Sequence, residues 1–487
     1  MAKPITKQLN LGSPQRWLKH CELFIGESLL DSGVSSDSEY ANLDAILLHP
    51  ESSINFEIQA VENKEKTVLK ELEHFISKPW YNAQQEKITS QDWSVLHDTL
   101  GHSIPMVTCA LSYELGAQSK GVKAQDVSHS APALWATRYK SVYIWLRHKH
   151  EGWLIATEQV VFDQIEKRIT EAYSKVHVGK IQMGFSEQAK YNEQAKLNGH
   201  GLVPECTFEE YQQSFNRLQE AILDGEVYQM NLTVALKQHL RLCCDPIELF
   251  QQIWSVNSGQ FSALLRLDQQ KSLLSFSPER LVKWSRSNQQ DQASWIETAP
   301  IKGTRPRRAQ AQADTEELHD LQTSIKDRAE HVMILDLERN DLGQICKSGS
   351  VQVTQNQVAR SYATVHHLVS VIKGELLDHV TLIDILAAVF PGGSVTGAPK
   401  KRAMDLIREL EYSPRGIYCG ALGYFDPLGG GDLNLPIRTI FLDEDQVEYH
   451  SGGGIVADSS AQGEWDELWV KTKGFEKALF PKYDDLQ

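Results

Sequence analysis

No run of this sequence reaches the eighteen or so uncharged apolar residues that a membrane-spanning helix needs. The opening stretch MAKPITKQLNLGSPQRW likewise lacks the continuous apolar run of a secretory signal. Cysteine is scarce: seven in 487 residues (Cys21, Cys109, Cys206, Cys243, Cys244, Cys346, Cys419), none in a CxxC pair. That argues against both a disulfide framework and a zinc site. Internal repeats and long low-complexity tracts are absent. Positive charge is in deficit, 49 Lys and Arg against 64 Asp and Glu, for a formal charge of −15. An acidic surface repels phosphate backbones, so nucleic acid is a poor candidate partner. An anionic small molecule would need local help from a divalent cation, an arginine or backbone N–H groups. The chain reads as a cytoplasmic globular protein.

What is present is organised in two regions. Up to about residue 190 there are few glycine-rich turns and no concentrated polar cluster. The stretch QAKYNEQAKLNGHG (188–201) has no apolar periodicity and reads as a linker. A second region, 205–480, opens on Thr207-Phe-Glu-Glu210, a capping box. Phe208, Tyr211, Phe215, Leu218, Ala221 and Ile222 then recur at helical spacing until Gly225. The next residues alternate, with Tyr228, Met230, Leu232, Val234 and Leu236 on one face and Gln229, Asn231 and Thr233 on the other. That predicts a half-buried strand. Further runs (SALLRL, SLLSF, SVQVTQ, YCGALGYF, QVEYH) predict a large antiparallel sheet system, with helices at 316–340, 380–390, 399–410 and 463–479. The class is α+β.

Two acidic pairs stand out. Asp327 and Glu330 are three residues apart on one helical face, and Glu464 and Glu467 repeat that spacing. In the second helix Trp465, Leu468, Thr472, Phe475 and Leu479 form the buried stripe. Acids in first turns favour the helix dipole in any protein. Two such pairs are also what a hard divalent cation takes: oxygen ligands, some direct and some through water. Gly452-Gly453-Gly454 would let backbone N–H groups approach a carboxylate, or would form a tight hairpin turn. Gly429–Gly431, between Asp426, Pro427 and Asp432, reads as a plain turn. FPGGSVTGAPKKRAM (390–404) lacks Lys and Ser/Thr directly after its glycine, so it is no nucleotide loop, and Pro399 starts a helix instead. Lys302, in PIKGT at a strand end, is either a surface charge or a desolvated, nucleophilic amine. Glu279, in SFSPER, is a candidate proton donor. His367, in VHHLVS, fits a core histidine. Arg438, alone in LPIRTIFL, would pair with a carboxylate of the protein or of a ligand.

Taken together and in order, PIKGTRPR, KDRAEHVMILDLERNDLG, FPGGSVTGAPKKRAM, RGIYCGALGY and GGGIVADS followed by ExxE resemble the chorismate-binding enzymes. These include the anthranilate, aminodeoxychorismate, isochorismate and salicylate synthases. The likeness runs from about 205 to 480, with a weaker one in LLDSG (29–33) and SYELG (112–116) to the N-terminal part of anthranilate synthase component I. Isochorismate-type relatives have a lysine where this chain has Gln229. Anthranilate synthases read PIAGT, whereas this chain reads PIKGT, as aminodeoxychorismate synthases do.

That resemblance implies two large antiparallel sheets packed as a sandwich, flanked by helices, as in anthranilate synthase component I. It implies amination of chorismate to 4-amino-4-deoxychorismate, for 4-aminobenzoate and folate biosynthesis, through a covalent intermediate on Lys302 with Glu279 as general acid. It puts Mg2+ at Glu330 and Glu467, with Asp327 and Glu464 as further direct or water-mediated ligands; Asp327 is shorter than the usual glutamate. Thr304, His367, Tyr418, Arg438 and the Gly452–Gly454 backbone would bind substrate. Some relatives hold tryptophan in a pocket that here would include Ser32. The chain shows no GxCxG-type nucleophile segment, so ammonia would come from a separate glutamine amidotransferase. Anthranilate synthase component I, or a non-catalytic chorismate-binding regulatory relative, are the alternatives.

Overall fold

The longest alternating and apolar runs become strands whose two edges serve different sheets. The computed structural model describes residues 3–480 apart from 22, 25, 32–42, 58–63, 124–130, 179–200, 241–244, 288–292 and 363–364. In it the fifteen-residue strands Leu43–Glu57 and Pro132–Leu146 pair antiparallel along their whole length. The first half of Leu43–Glu57 pairs onward with Ser28–Asp31, and that strand with Phe261–Arg266. The sheet continues through Lys271–Ser277, Thr439–Asp443 and Gln446–Ile455 to Gln229–His239. Pro132–Leu146 pairs on its other edge with Val107–Leu111, which begins a second sheet. This one runs through Ala421–Phe425, Gly431–Asn434, Arg280–Ser285 and Trp295–Ala299 to Val365–Glu375. The expected α+β class, large antiparallel sheet flanked by helices, is what the chain forms, its two arms joined through Leu43–Glu57 and Pro132–Leu146 into one hydrogen-bonded network of twenty strands among the described residues. In each, strands from before residue 190 join strands from after 205 at one seam, Ser28–Asp31 against Phe261–Arg266 and Val107–Leu111 against Ala421–Phe425. A single apolar core contains side chains from Trp17 to Leu479. The greater part of the 188–201 stretch lies outside the described residues, as does Ser32.

The local signals hold well. Thr207 Oγ1 accepts from Glu210 N at 3.3 Å and Glu210 Oε2 accepts from Thr207 N at 2.8 Å, closing the capping box of the helix Phe208–Leu223. Gly225 follows that helix with φ +77°. The helix Ala461–Leu479 buries Leu468, Thr472, Phe475 and Leu479, as its spacing predicts, but leaves Trp465 half-buried. Its Phe475 packs on Tyr449 and Phe276, with ring centroids 4.9 and 5.8 Å away. Each such aromatic stabilises the packing by about 1.5–3 kcal/mol, and this contact fixes where Glu464 and Glu467 sit.

Four expectations need correction. The helix read at 316–340 is two, Ala311–Thr323 and Ile325–Gly343, divided at Ser324, whose side chain caps the second. The strand Gln229–His239 buries Gln229 and Thr233 as well as Met230, Leu232, Val234 and Leu236, with Asn231 half-buried, so its first half is covered on both faces; Tyr228 precedes it and is exposed. Gly452–Gly454 is neither a turn nor a loop: it lies in the strand Gln446–Ile455, opposite Asn231–Thr233. Arg438 is not inside a strand but enters one, with φ +53°.

Candidate active site

Lys302 owes its position to an irregularity in the sheet. The strand Ile301–Pro306 pairs with Val365–Glu375, but the register slips between Ile301 and Thr304. An extra residue in one strand re-aims the side chains beside it. Gly303, in that slip, has φ +81°, and a Cβ there would come within 2.8 Å of Leu321 and 3.2 Å of Asp327. Glycine is therefore required next to Lys302. Burial lowers the pKa of the Lys302 amine from its ordinary value, and the neighbouring Glu279 and Glu330 carboxylates oppose that shift. Behind it His331, fully buried in the helix Ile325–Gly343, lies against the Lys302 backbone, with its Nε2 2.7 Å from Ser370 Oγ and its Nδ1 without a hydrogen-bond partner.

Glu279 sits between the strands Lys271–Ser277 and Arg280–Ser285 and is only 5 % exposed. Burial raises its pKa, opposed by the Ser394 hydroxyl, by Lys302 and by the Ile301 N–H, which donates to Oε1 at 3.4 Å. A half-buried amine whose pKa is lowered thus stands near a buried carboxyl whose pKa is raised. Those are the directions that favour a nucleophile and a general acid.

The two acidic helices converge on the same place. Glu330 feels Lys302 and Glu467, and its pKa is raised by burial and by repulsion from Asp327 and Glu467. Glu464 is raised by burial and by Glu467, while Ser459 Oγ donates to it at 2.7 Å. Burial pushes Glu467 up as well, but Lys471, 2.8 Å away, outweighs it and holds the carboxyl below its ordinary value. Lys471 also donates to the Gly452 carbonyl at 2.9 Å. A Cβ on Gly453 would lie 2.9 Å from Glu464 Oε2 and 4.0 Å from Glu467 Oε1, so the glycine strand passes directly under the acids. Asp327 is engaged elsewhere, its Oδ2 accepting from Arg305 at 2.9 Å.

Among the described residues no three His, Cys, Asp or Glu side chains form a ready-made metal cage. Magnesium does not need one, since it keeps several waters and takes one or two carboxylates plus substrate oxygens. Carboxylates that repel one another, Glu330 and Glu464 half-buried and Glu467 open to solvent, fit such an ion.

The other residues expected to bind substrate are placed by pairwise contacts. Thr304 Oγ1 and His367 Nδ1 are 3.0 Å apart. Burial and the Arg438 charge press the His367 pKa down to about 3, so the ring is neutral at ordinary pH. Burial also lowers Arg438, opposed only by Tyr449, and no carboxylate pairs with it among the described residues. A desolvated guanidinium in that state calls for an anion. Tyr418 stacks on His450, centroids 5.2 Å apart and rings 16° from parallel. Gln229 is buried and both of its amide heavy atoms lack partners, as does Asn231 Oδ1. A Cβ on Gly454 would lie 2.1 Å from Gln229 Nε2, so any other residue there would displace the Gln229 amide. Sequence reasoning missed Lys471, His331 and Ser394. Lys471 was findable as the i+4 partner of Glu467. The other two are brought in only by the fold.

A family model described as chorismate binding enzyme matches residues 44–477. Aminodeoxychorismate synthase component 1 of Escherichia coli (strain K12) is 42% identical over 273 residues, 56% of this chain and 58% of that protein. The chain thus spans little more than half the length of that curated relative. Anthranilate synthase component 1 1 of Haloarcula marismortui is 39% identical over 374 residues, covering 76% of this chain and 74% of the relative. The crystal structure of anthranilate synthase component I from Streptococcus pneumoniae TIGR4 superposes with a TM-score of 0.65 at 24% identity, over 91% and 94% of the two chains. With the fold, the facing Lys302 and Glu279 and the convergent acid pairs in place, the chain belongs to the chorismate binding enzyme family.

Proposed function

We propose that this chain aminates chorismate to 4-amino-4-deoxychorismate as a component I-type subunit, with ammonia supplied from glutamine by a partner amidotransferase. The observation that carries this reading is Lys302 at the sheet slip, facing the buried Glu279. The neutral Lys302 amine attacks the chorismate ring and forms a C–N bond. The ring hydroxyl leaves as water, taking the Glu279 proton, because hydroxide alone is a poor leaving group. Ammonia then displaces the lysine, so chorismate and ammonia give aminodeoxychorismate and water.

Arg438, Tyr418 and the backbone at Gly452–Gly454 hold the substrate carboxylates, with Thr304 and His367 beside the ring. Glu330 and Glu467 would hold Mg2+, with Glu464 and, after release from Arg305, Asp327 reaching it through water. When bound, the ion supplies positive charge that neutralises a substrate carboxylate. Gln229, where a water-activating lysine would otherwise stand, leaves hydration without a base.

The longer alignment with the Haloarcula protein keeps anthranilate synthase as the second reading. Product analysis separates them. Purified protein with chorismate, magnesium and ammonium should give aminodeoxychorismate by mass spectrometry, converted to 4-aminobenzoate only when a lyase is added. Anthranilate would establish the second reading, and no turnover with any ammonia source would leave a regulatory relative.

A further inference from the structure

A second buried carboxyl stands close to Glu279 and has no part in the chemistry described above. Glu338 faces inward from the helix Ile325–Gly343, only 8% exposed, on the same buried face as Asp341. The short segment Gly393–Val395 is wedged between this helix and the Glu279 strand end. A Cβ on Gly393 would come within 2.5 Å of Leu337, the residue before Glu338. One on neighbouring Gly392 would come within 2.9 Å of Leu435 and 3.3 Å of Leu281. Leu435 donates its N–H to the Glu279 carbonyl at 3.0 Å, and Leu281 lies two residues beyond Glu279. Ser394, in the wedge, turns its hydroxyl toward the Glu279 carboxyl. On the strand Trp295–Ala299 the Thr298 side chain lies against Glu338. All four side chains are buried, and neither Glu338 Oε2 nor the Thr298 or Ser394 hydroxyl makes a hydrogen bond of ordinary geometry. An interior carboxyl left this way is costly, and an apolar side chain of similar size would avoid the cost. The charged groups that face Glu338 are Glu279 from the sheet, Asp341 from its own helix and Lys400 from the start of the helix Lys400–Leu410. Lys400 is engaged with Asp341, to which its Nζ donates at 2.6 Å.

We propose that Glu338 is a positioning residue for the reaction, sharing one proton with Glu279 across the Thr298 and Ser394 hydroxyls. This rests on the reading of Glu279 as the general acid. When the ring hydroxyl leaves as water with the Glu279 proton, the Glu338 proton moves to the Glu279 carboxylate, so no isolated carboxylate waits in the interior beside the reacting ring. The pair is refilled at the end of the cycle. Ammonia that has displaced the lysine leaves the product with an ammonium group, which gives its extra proton back to the pair. Burial, and the Glu279 and Asp341 charges against the opposition of Thr298 and Lys400, keep Glu338 protonated up to about pH 8, as a proton store requires.

Chorismate consumption by the full chain, followed across pH with magnesium and constant free ammonia, tests this. Glu338→Gln should lower kcat by roughly tenfold or more, leave the chorismate KM unchanged and move the alkaline fall of kcat to lower pH. Glu338→Asp keeps a carboxyl and should recover part of the loss. A parent-like kcat and alkaline fall in Glu338→Gln would overturn the inference. Glu279→Gln separates this inference from the reading beneath it. If the alkaline fall persists in that variant, Glu279 is not the acid and the inference fails with it. If the fall is lost there but stays unmoved in Glu338→Gln, only the sharing is wrong. Infrared titration needs no turnover. The parent should lose a protonated-carboxyl band as pH rises through about 8, and Glu338→Gln should lack that band. In Glu279→Gln the band should disappear at lower pH, because the repelling carboxylate is gone. An unmoved midpoint in that variant would mean two independent carboxyls and would equally overturn the proposal.

Discussion

An amine taken out of water holds its proton less tightly, and a carboxyl taken out of water holds it more tightly. Lys302 and Glu279 show both shifts, each moderated by the other. Activity therefore needs pH high enough to free the lysine and low enough to keep the acid, which gives a bell-shaped profile whose two apparent values belong to the pair. With free ammonia held constant, Glu279→Gln should lower kcat by about 10²–10⁴-fold. What remains should rise with pH to a plateau, since the alkaline fall reports loss of the Glu279 proton. A retained alkaline limb would remove Glu279 from the role of acid. Lys302→Ala should abolish the covalent route while the fold remains; unchanged ammonia-dependent turnover would sink the nucleophile. A third titrating group affects stability. Glu338 is buried, and burial pushes its carboxyl up to about 8, opposed by Thr298 and assisted by Glu279 and Asp341. The folded state holds that proton longer than the unfolded state does. Stability should therefore fall as pH rises between the ordinary glutamate range and about 8, by up to about 1.4 kcal/mol per unit. Glu338→Gln should remove that slope in denaturant titrations run across the window.

Elements set what these residues can reach. The helix Phe208–Leu223 starts where its reciprocal cap dictates, and Gln219 donates from it to the Val456 carbonyl at 2.8 Å, just past the glycine strand. Thr207→Ala removes one half of the cap and should cost about 0.5–2 kcal/mol in urea unfolding, with kcat unchanged. Gly454→Ala acts at the other extreme. Its Cβ would displace the Gln229 amide, so substrate KM should rise sharply while the far-ultraviolet spectrum stays native. Unaltered KM would show that this strand does not line the cleft. The capping box and the helical stripes were legible in the sequence because both are local: they join residues three or four positions apart. The division at Ser324, the double burial of Gln229–His239 and the strand identity of Gly452–Gly454 were not. Each depends on a neighbour distant in sequence.

Across the whole molecule, Ser28–Asp31 pairs with Phe261–Arg266 and Val107–Leu111 with Ala421–Phe425, so each sheet is continuous from early to late segments. With one apolar core behind both sheets, tryptophan fluorescence and backbone circular dichroism should report coincident unfolding transitions in denaturant. Two separated transitions would mean that the early region folds by itself. None of the described helices is long and apolar enough to cross a membrane.

The sequence by itself determined the family and the antiparallel α+β class, and it singled out the pair proposed to react. Those rest on residue types at short, fixed spacings, and such spacings survive any packing. Only the tertiary structure decided that Asp327 is held by Arg305, that Lys471 bridges Glu467 and the Gly452 carbonyl, and that His331 stands behind Lys302. It alone leaves Gln229 and Gln118 buried without partners. Contacts of that kind join atoms far apart along the chain, and burial, which sets their charge states, is a property of the folded volume.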